Sequence, residues 1–130
     1  MRDLLRIAKI LADPTRVRVL TALRGRELCV CELCDALRVS QSTLSTHLRL
    51  IREAGLARTR KEGKWIYYAS APGRDRRTKS LFAIFASDLR KDGRLQGDAR
   101  RLKKRLEERD SNGCCRGFEV RCDIKRKKRP

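Results

Sequence analysis

The chain has 130 residues, of which 34 are Lys or Arg and 16 are Asp or Glu, so that its formal net charge is +18. This length predicts one domain with a modest core, and the lack of an apolar run of about 18 residues or of a secretory cleavage pattern predicts a cytoplasmic protein that does not span a membrane. So large an excess of positive charge predicts a polyanionic partner, with nucleic acid first and an anionic membrane surface second.

The first half of the chain predicts four short helices. Apolar residues at helical spacing indicate a helix over residues 3–12, and an Asp-Pro start followed by a closing glycine indicates a second over residues 13–25. A third helix is expected over residues 30–38. The fourth lies between Ser40, which can cap it, and Gly55, which ends it.

The second half predicts a hairpin followed by two further helices. Strand-forming residues flank the Lys-Glu-Gly-Lys turn at residues 61–64, which is typical of a β-hairpin. Helical patterns follow over residues 78–91 and over residues 93–110, the second of them amphipathic and strongly basic. We therefore expect a main domain over residues 1–92, then the basic helix, and then a flexible basic tail with cysteines over residues 111–130.

Short helices, a tight turn, a polar-faced helix and a basic hairpin together indicate a winged helix-turn-helix, a mainly α fold with a β-hairpin wing. In the fourth helix Leu44, Leu48 and Ile51 form the buried stripe, because successive residues turn by about 100° around the axis. The opposite side carries short hydroxyl side chains and one arginine, which suit a major groove, while cations on the hairpin suit phosphates. We predict DNA contacts from Gln41, Ser42, Ser45, Thr46 and Arg49 on the helix and from Arg58, Arg60, Lys61 and Lys64 on the hairpin.

Three cysteines, Cys29, Cys31 and Cys34, lie close together in the segment "ELCVCELC". On an ideal helix Cys31 and Cys34 share a face, whereas Cys29 and Cys31 point about 200° apart. All three can reach one ion only if the chain near Cys29 and Cys31 is non-helical or becomes so, and this misfit predicts that binding distorts the helix. Three thiolates without a nearby histidine suit a three-coordinate soft ion such as As(III) or Sb(III) better than a structural zinc, which takes four ligands.

Other interpretations of the thiols stay open. Cysteines are often buried for packing alone, and the spacing of Cys31 and Cys34 also occurs in disulfide oxidoreductases, although no βαβ pattern surrounds it here. A sensor of thiol oxidation on the same fold is a further alternative. A second cluster contains a vicinal pair that can chelate trivalent arsenic, or it is an accessory part of the tail. It consists of Cys114, Cys115 and Cys122.

Four segments together resemble the ArsR/SmtB family of metal-responsive repressors, and within it the arsenic-responsive ArsR branch. They are "LADPTRVRVLTAL", "ELCVCELCDAL", "VSQSTLSTHLRLIREAGL" and "RKEGKWIYY". The resemblance covers residues 3–70. It implies a winged helix that binds an inverted-repeat operator in double-stranded DNA and represses a resistance operon. It also implies that As(III) or Sb(III), bound by Cys29, Cys31 and Cys34, releases the protein from DNA, with no organic cofactor.

The resemblance further implies a homodimer. In the family the first helix and the helix after the wing form the dimer interface, which here correspond to residues 3–12 and 78–91. Residues 1–92 are then a DNA-binding and dimerisation domain. The segment after the wing contains no histidine, so the zinc site of other family members is not expected. We expect a repressor and not an enzyme, with a Cys-x-x-Cys redox protein and a non-specific basic nucleic-acid binder as the alternatives.

Overall fold

A computed structural model describes residues 1–109, except for the side chains of residues 72–75. The predicted tail lies outside the described residues, and so does the possible second thiol site at Cys114, Cys115 and Cys122. Among the helices of the described part, none has both the length and the apolar character that crossing a membrane requires.

Seven α-helices and three β-strands follow one another in the described residues. The helices are α1 (Arg2–Leu11), α2 (Pro14–Ala22), α3 (Val30–Leu37), α4 (Gln41–Glu53), α5 (Pro72–Ile84), α6 (Ala86–Lys91) and α7 (Gly93–Glu107). The strands are β1 (Leu28–Cys29), β2 (Ala57–Glu62) and β3 (Trp65–Ser70).

The three strands form one antiparallel sheet in the order β1-β3-β2. Strands β2 and β3 are the predicted hairpin, and Gly63 in its turn has a φ of 58°, a left-handed conformation that glycine adopts without a side-chain clash. The sequence pattern does not predict β1, which pairs Leu28 with Tyr68 and Cys29 with Tyr67 on the other side of β3. Together the helices and the hairpin confirm a mainly α, winged helix-turn-helix fold.

The main hydrophobic core lies beneath the helix-turn-helix. Leu44, Leu48 and Ile51 of α4 are all fully buried, as their spacing predicts. Ile7 from α1 and Leu102 from α7 join the same core, so the first and last described helices pack on one body. The buried stripe of α4 thereby holds its opposite face towards solvent.

The helix predicted over residues 78–91 was wrong in its extent, because two helices occupy this region. Helix α5 begins earlier than predicted, at Pro72, since proline is well suited to the first turn of a helix. The chain leaves the helical conformation at Phe85 (φ −95°, ψ 15°), and α6 follows. Ile84 and Phe85 at this break are exposed apolar residues.

Helix α7 packs across α3 and α2. It is joined to α2 by Arg18, whose Nε donates to Asp98 Oδ2 at 2.7 Å, and this hydrogen bond raises the pKa of the arginine. The Arg18 Nη2 atom also donates to the backbone oxygen of Leu37 at the end of α3. Arg18 therefore ties α2 to α7 and to the end of α3, the helix that contains Cys31 and Cys34.

Candidate DNA-binding surface and thiol cluster

Helices α3 and α4 form the helix-turn-helix. Its turn is tight because Arg38, directly after α3, adopts a left-handed conformation with a φ of 52°. Ser40 then caps α4, and its Oγ accepts a hydrogen bond from the Thr43 backbone N–H at 3.4 Å. The predicted DNA-contacting face of α4 faces solvent as expected: Ser42, Ser45, Thr46 and Arg49 are exposed, and Gln41 is half-buried.

The hairpin carries the four other predicted DNA contacts, and all four are exposed: Arg58, Arg60, Lys61 and Lys64. Arg60 has two carboxylate partners, Glu62 at 2.7 Å and Glu27 at 3.0 Å. The hydrogen bonds that Arg60 donates to Glu62 and Glu27 raise its pKa above the ordinary value. A phosphate that contacts Arg60 must therefore compete with two carboxylates of the chain itself.

Cys29 ends β1 and is also the N-cap residue of α3, with extended backbone angles (φ −84°, ψ 164°). The chain at Cys29 is thus already non-helical. This is the first of the two conditions under which the thiols were expected to reach one ion, so the ideal-helix misfit between Cys29 and Cys31 does not apply to this structure. Cys31 and Cys34 do lie on α3 at the expected spacing.

The three thiols lie in two different environments. Cys29, which is 1% exposed, and Cys31 pack in a small cluster with Tyr67 and Trp65 of the wing strand β3. Cys34 is buried in the main core instead. Across the described part of the chain, no three His, Cys, Asp or Glu residues are placed so that they could hold a metal ion. A ligand that takes all three thiols therefore requires the first turn of α3 to rearrange.

Between Cys29 and Cys34 lies a buried carboxylate that the sequence pattern does not single out. Glu32 is 0% exposed, and its Oε2 accepts the backbone N–H of Cys29 at 3.0 Å. In return the Cys29 side chain accepts the backbone N–H of Glu32, so the two residues form a capping box at the start of α3. Arg109, just after α7, supplies the positive charge: its Nη2 donates to Glu32 Oε2 at 2.8 Å, and its Nε donates to Oε1.

Two further arginines of α7 bind α3 in the same way. Arg105 Nε donates to Asp35 Oδ2 at 3.2 Å, and Arg101 Nε donates to the backbone oxygen of Ala36 at 2.7 Å. Arg101, Arg105 and Arg109 are spaced by four residues and so lie along one side of the helical path. The basic face of α7 is thus partly an interface with the thiol-containing helix. The four-residue spacing of arginines opposite an acidic helix is the signal that could have revealed it.

Comparison with known proteins identifies the family. Residues 13–59 match the model described as "Bacterial regulatory protein, arsR family". The chain is also 36% identical over 88 residues to the arsenical resistance operon repressor of Staphylococcus xylosus, a match that covers 67% of this chain and 85% of that protein. The chain belongs to the arsR family.

A second repressor and a solved structure are also similar to part of the chain. The chain is 49% identical over 69 residues to the arsenical resistance operon repressor of Escherichia coli K12, which is 52% of this chain and 59% of that protein's length. The structure of HlyU from Vibrio cholerae superposes with a TM-score of 0.60 at 31% identity, covering 65% of this chain and 94% of that one. The two repressors are named as regulators of transcription and not as enzymes, which agrees with the expectation of a regulator.

Proposed function

We propose that the chain is a transcriptional repressor that binds operator DNA as a homodimer and is released when As(III) or Sb(III) binds its thiols. The observation that carries the proposal is the position of Cys29, which joins the wing sheet to the first helix of the helix-turn-helix. A ligand at this thiol acts on both DNA-contacting parts of the molecule. The names of the relatives, arsenical resistance operon repressors, support the same function.

On the DNA side, α4 enters the major groove. Its exposed hydroxyl side chains and Arg49 reach base edges and phosphates, while Arg58, Lys61 and Lys64 of the wing contact the phosphates beside the groove. Arg60 contributes less to phosphate binding, because Glu27 and Glu62 already neutralise much of its charge.

On the thiol side, arsenous acid reacts with three thiols to form three As–S bonds. Each bond replaces an As–OH bond, and the hydroxyl leaves with the thiol proton as water. Cys29 and Cys31 share one cluster and react first, and Cys34 follows when the start of α3 unwinds from the main core. Soft sulfur donors favour As(III) and Sb(III) over hard divalent ions.

The homodimer is supported by an exposed apolar surface on α1 and at the end of α5. Leu4 and Leu5 are 69% and 53% exposed, and Ile84 and Phe85 are 73% and 53% exposed. The two helices are neighbours, since Arg77 Nη1 of α5 lies 3.8 Å from Asp3 Oδ2 of α1. A patch of this kind on two adjacent helices is typical of a surface that a second copy covers. A two-fold dimer reads an inverted-repeat operator.

The test is fluorescence anisotropy on an operator duplex that the purified full chain selects from randomised DNA. The reduced protein is titrated with arsenite, antimonyl tartrate, Cd(II), Zn(II) and hydrogen peroxide. We expect release by arsenite and antimonyl tartrate, and retention on DNA in the Cys29→Ser/Cys31→Ser variant. Release of that variant by arsenite contradicts the thiol assignment. Release by peroxide alone shows an oxidation sensor instead, and affinity that ignores DNA sequence shows a non-specific binder.

A further inference from the structure

A row of three residues crosses the sheet from the thiol cluster to the wing. Cys29 of β1 is paired with Tyr67 of β3, and Tyr67 is paired in turn with Arg60 of β2. Residues directly opposite one another in an antiparallel sheet carry their side chains on the same face, with Cβ atoms about 5 Å apart. The three side chains therefore lie side by side on one face of the sheet.

The contacts along this row are direct. Tyr67 is 8% exposed and packs with Cys29, while Cys31 and Trp65 pack on the same small cluster. A cation lies over each of the two aromatic rings. The Arg60 guanidinium lies 4.7 Å from the centre of the Tyr67 ring, and the Lys64 ammonium lies 5.2 Å from that of Trp65. The thiol cluster is thus separated from two wing cations by one ring each.

Arg60 is also fastened to the strand that carries Cys29. Its second partner, Glu27, precedes β1 by one residue, and the backbone oxygen of Glu27 accepts a hydrogen bond from Arg109 at 2.8 Å. A displacement of Cys29 therefore moves both the ring beneath Arg60 and one of the carboxylates that hold it. Closely packed side chains cannot absorb such a displacement locally, because the interior has little free volume.

We propose that Tyr67 and Trp65 couple occupancy of the thiols to the wing, by holding the β2–β3 hairpin in the position for DNA only while Cys29 and Cys31 are unligated. This inference rests on the proposed function and adds a route to it. Rearrangement at the start of α3 acts on the helix-turn-helix, whereas this second route runs through the sheet. Both aromatic residues are positioning residues, since the thiols bind the inducer and the cations bind the phosphates.

The first test measures the coupling itself, which is the factor by which arsenite weakens operator affinity. Wild-type protein is compared with Tyr67→Leu and with the matched control Tyr68→Leu, which removes a neighbouring tyrosine that packs against the main core. Trp65→Leu is the second variant should Tyr67→Leu not fold. We expect the wild-type factor to be about tenfold or more and to fall at least about threefold in Tyr67→Leu or Trp65→Leu. The coupling factor is measured at saturating arsenite for each variant, and it stays unchanged in Tyr68→Leu.

The second test uses Trp65, the only tryptophan of the chain, as a reporter in the DNA-free protein. Arsenite is expected to change its emission in wild type, and this change should disappear in Cys29→Ser/Cys31→Ser. Release from DNA without any change of Trp65 emission overturns the route through the wing but leaves the proposed function standing. The same holds for an unchanged coupling factor in both Tyr67→Leu and Trp65→Leu. Failure of arsenite to release wild-type protein overturns the proposed function, and the coupling route with it.

Discussion

Arg109 Nη2 donates a hydrogen bond to Glu32 Oε2 at 2.8 Å, across 77 positions of the chain. Glu32 is fully buried, and a carboxylate removed from water is costly unless a cation and hydrogen-bond donors surround it. The end of α7 therefore provides the charge that allows a carboxylate to lie inside the thiol segment. Glu32 also accepts a hydrogen bond from the Cys29 backbone N–H. Arg109 therefore helps, through Glu32, to position Cys29, the first of the candidate thiol ligands.

Arg109→Ala is expected to lower the free energy of unfolding by about 2 kcal/mol, because it leaves a buried carboxylate without its cation. The value lies towards the lower end of such effects because the Arg109 side chain is 36% exposed and water can partly replace it. Urea unfolding followed by circular dichroism measures the change. Lys104→Ala removes an exposed cation from α7 and should change stability by less than about 0.5 kcal/mol. Equal effects of the two substitutions would contradict the role of Arg109.

Asp13 predicts a pH dependence of stability. Its Oδ1 accepts the backbone N–H of Thr15 at 2.8 Å and that of Arg16 at 3.2 Å, at the start of α2. Burial by itself raises the pKa of this carboxyl, but the hydrogen bonds from Arg16 and Thr15 and the charge of nearby His47 together bring the pKa below its ordinary value of 3.8. A lowered pKa in the folded state means that the charged carboxylate stabilises the fold above the unfolded pKa. This contribution is lost as the pH falls through the folded pKa.

Asp13→Ala should therefore cost about 1 kcal/mol near pH 7, and its difference from wild type should shrink below about pH 4. Asp13→Asn is the matched control, since its amide oxygen accepts the same hydrogen bonds without a charge. The difference between the Asn and Ala variants should not change with pH. Unfolding curves of all three proteins between acid and neutral pH give the result. If wild type is more stable than Asp13→Ala by the same free energy of unfolding at acid and at neutral pH, the role of the Asp13 charge is refuted.

Two neighbouring wing cations are expected to differ in DNA binding. Lys61→Ala should weaken operator affinity at every sequence and reduce the slope of log affinity against log salt by about 1, because one phosphate contact is lost. Arg60→Ala should reduce that slope by less, since its charge is already shared with Glu27 and Glu62. Lys104→Ala, on α7, controls for the general loss of positive charge. Equal slopes for the Lys61 and Lys104 variants would remove the wing from the proposed DNA surface.

The apolar surface on α1 and α5 predicts the effect of a charge buried at the proposed dimer interface. Leu5→Glu or Phe85→Glu should convert a dimer into monomers and weaken operator affinity at least about tenfold, because each dimer buries two such carboxylates. Sedimentation velocity gives the oligomeric state. Gln96→Glu, an exposed position on α7, makes the same change of charge outside the patch and should leave the dimer intact. A monomeric wild-type protein would disprove the interface.

The winged fold and the solvent-exposed face of α4 could be predicted because local patterns determine both. Leu44, Leu48 and Ile51 share a helical face whatever the rest of the chain does, and strand formers around a glycine turn form a hairpin with their own neighbours. Strand β1 could not be predicted, because two residues show no periodicity and acquire strand structure only by pairing with β3. The break at Phe85 has no glycine or proline to mark it in the sequence.

In the thiol segment, too, local features could be predicted and long-range contacts could not. Its residue types predict soft-ligand chemistry, and their spacing places Cys31 and Cys34 on one helix, as observed. Cys29 packs against Tyr67, and Glu32 pairs with Arg109. Both contacts depend on partners far along the chain. Such pairings follow from tertiary packing, which a pattern of neighbouring residues does not contain.

The contact between Glu32 and Arg109 also has a consequence for synthesis on the ribosome. A chain elongating at about 5–20 residues per second makes Glu32 roughly 4–15 s before Arg109. During that interval Glu32 has no Arg109 to accompany it into the interior, so the start of α3 cannot complete its packing. The order of synthesis therefore leaves the thiol segment to reach its final packing only after Arg109 has been made.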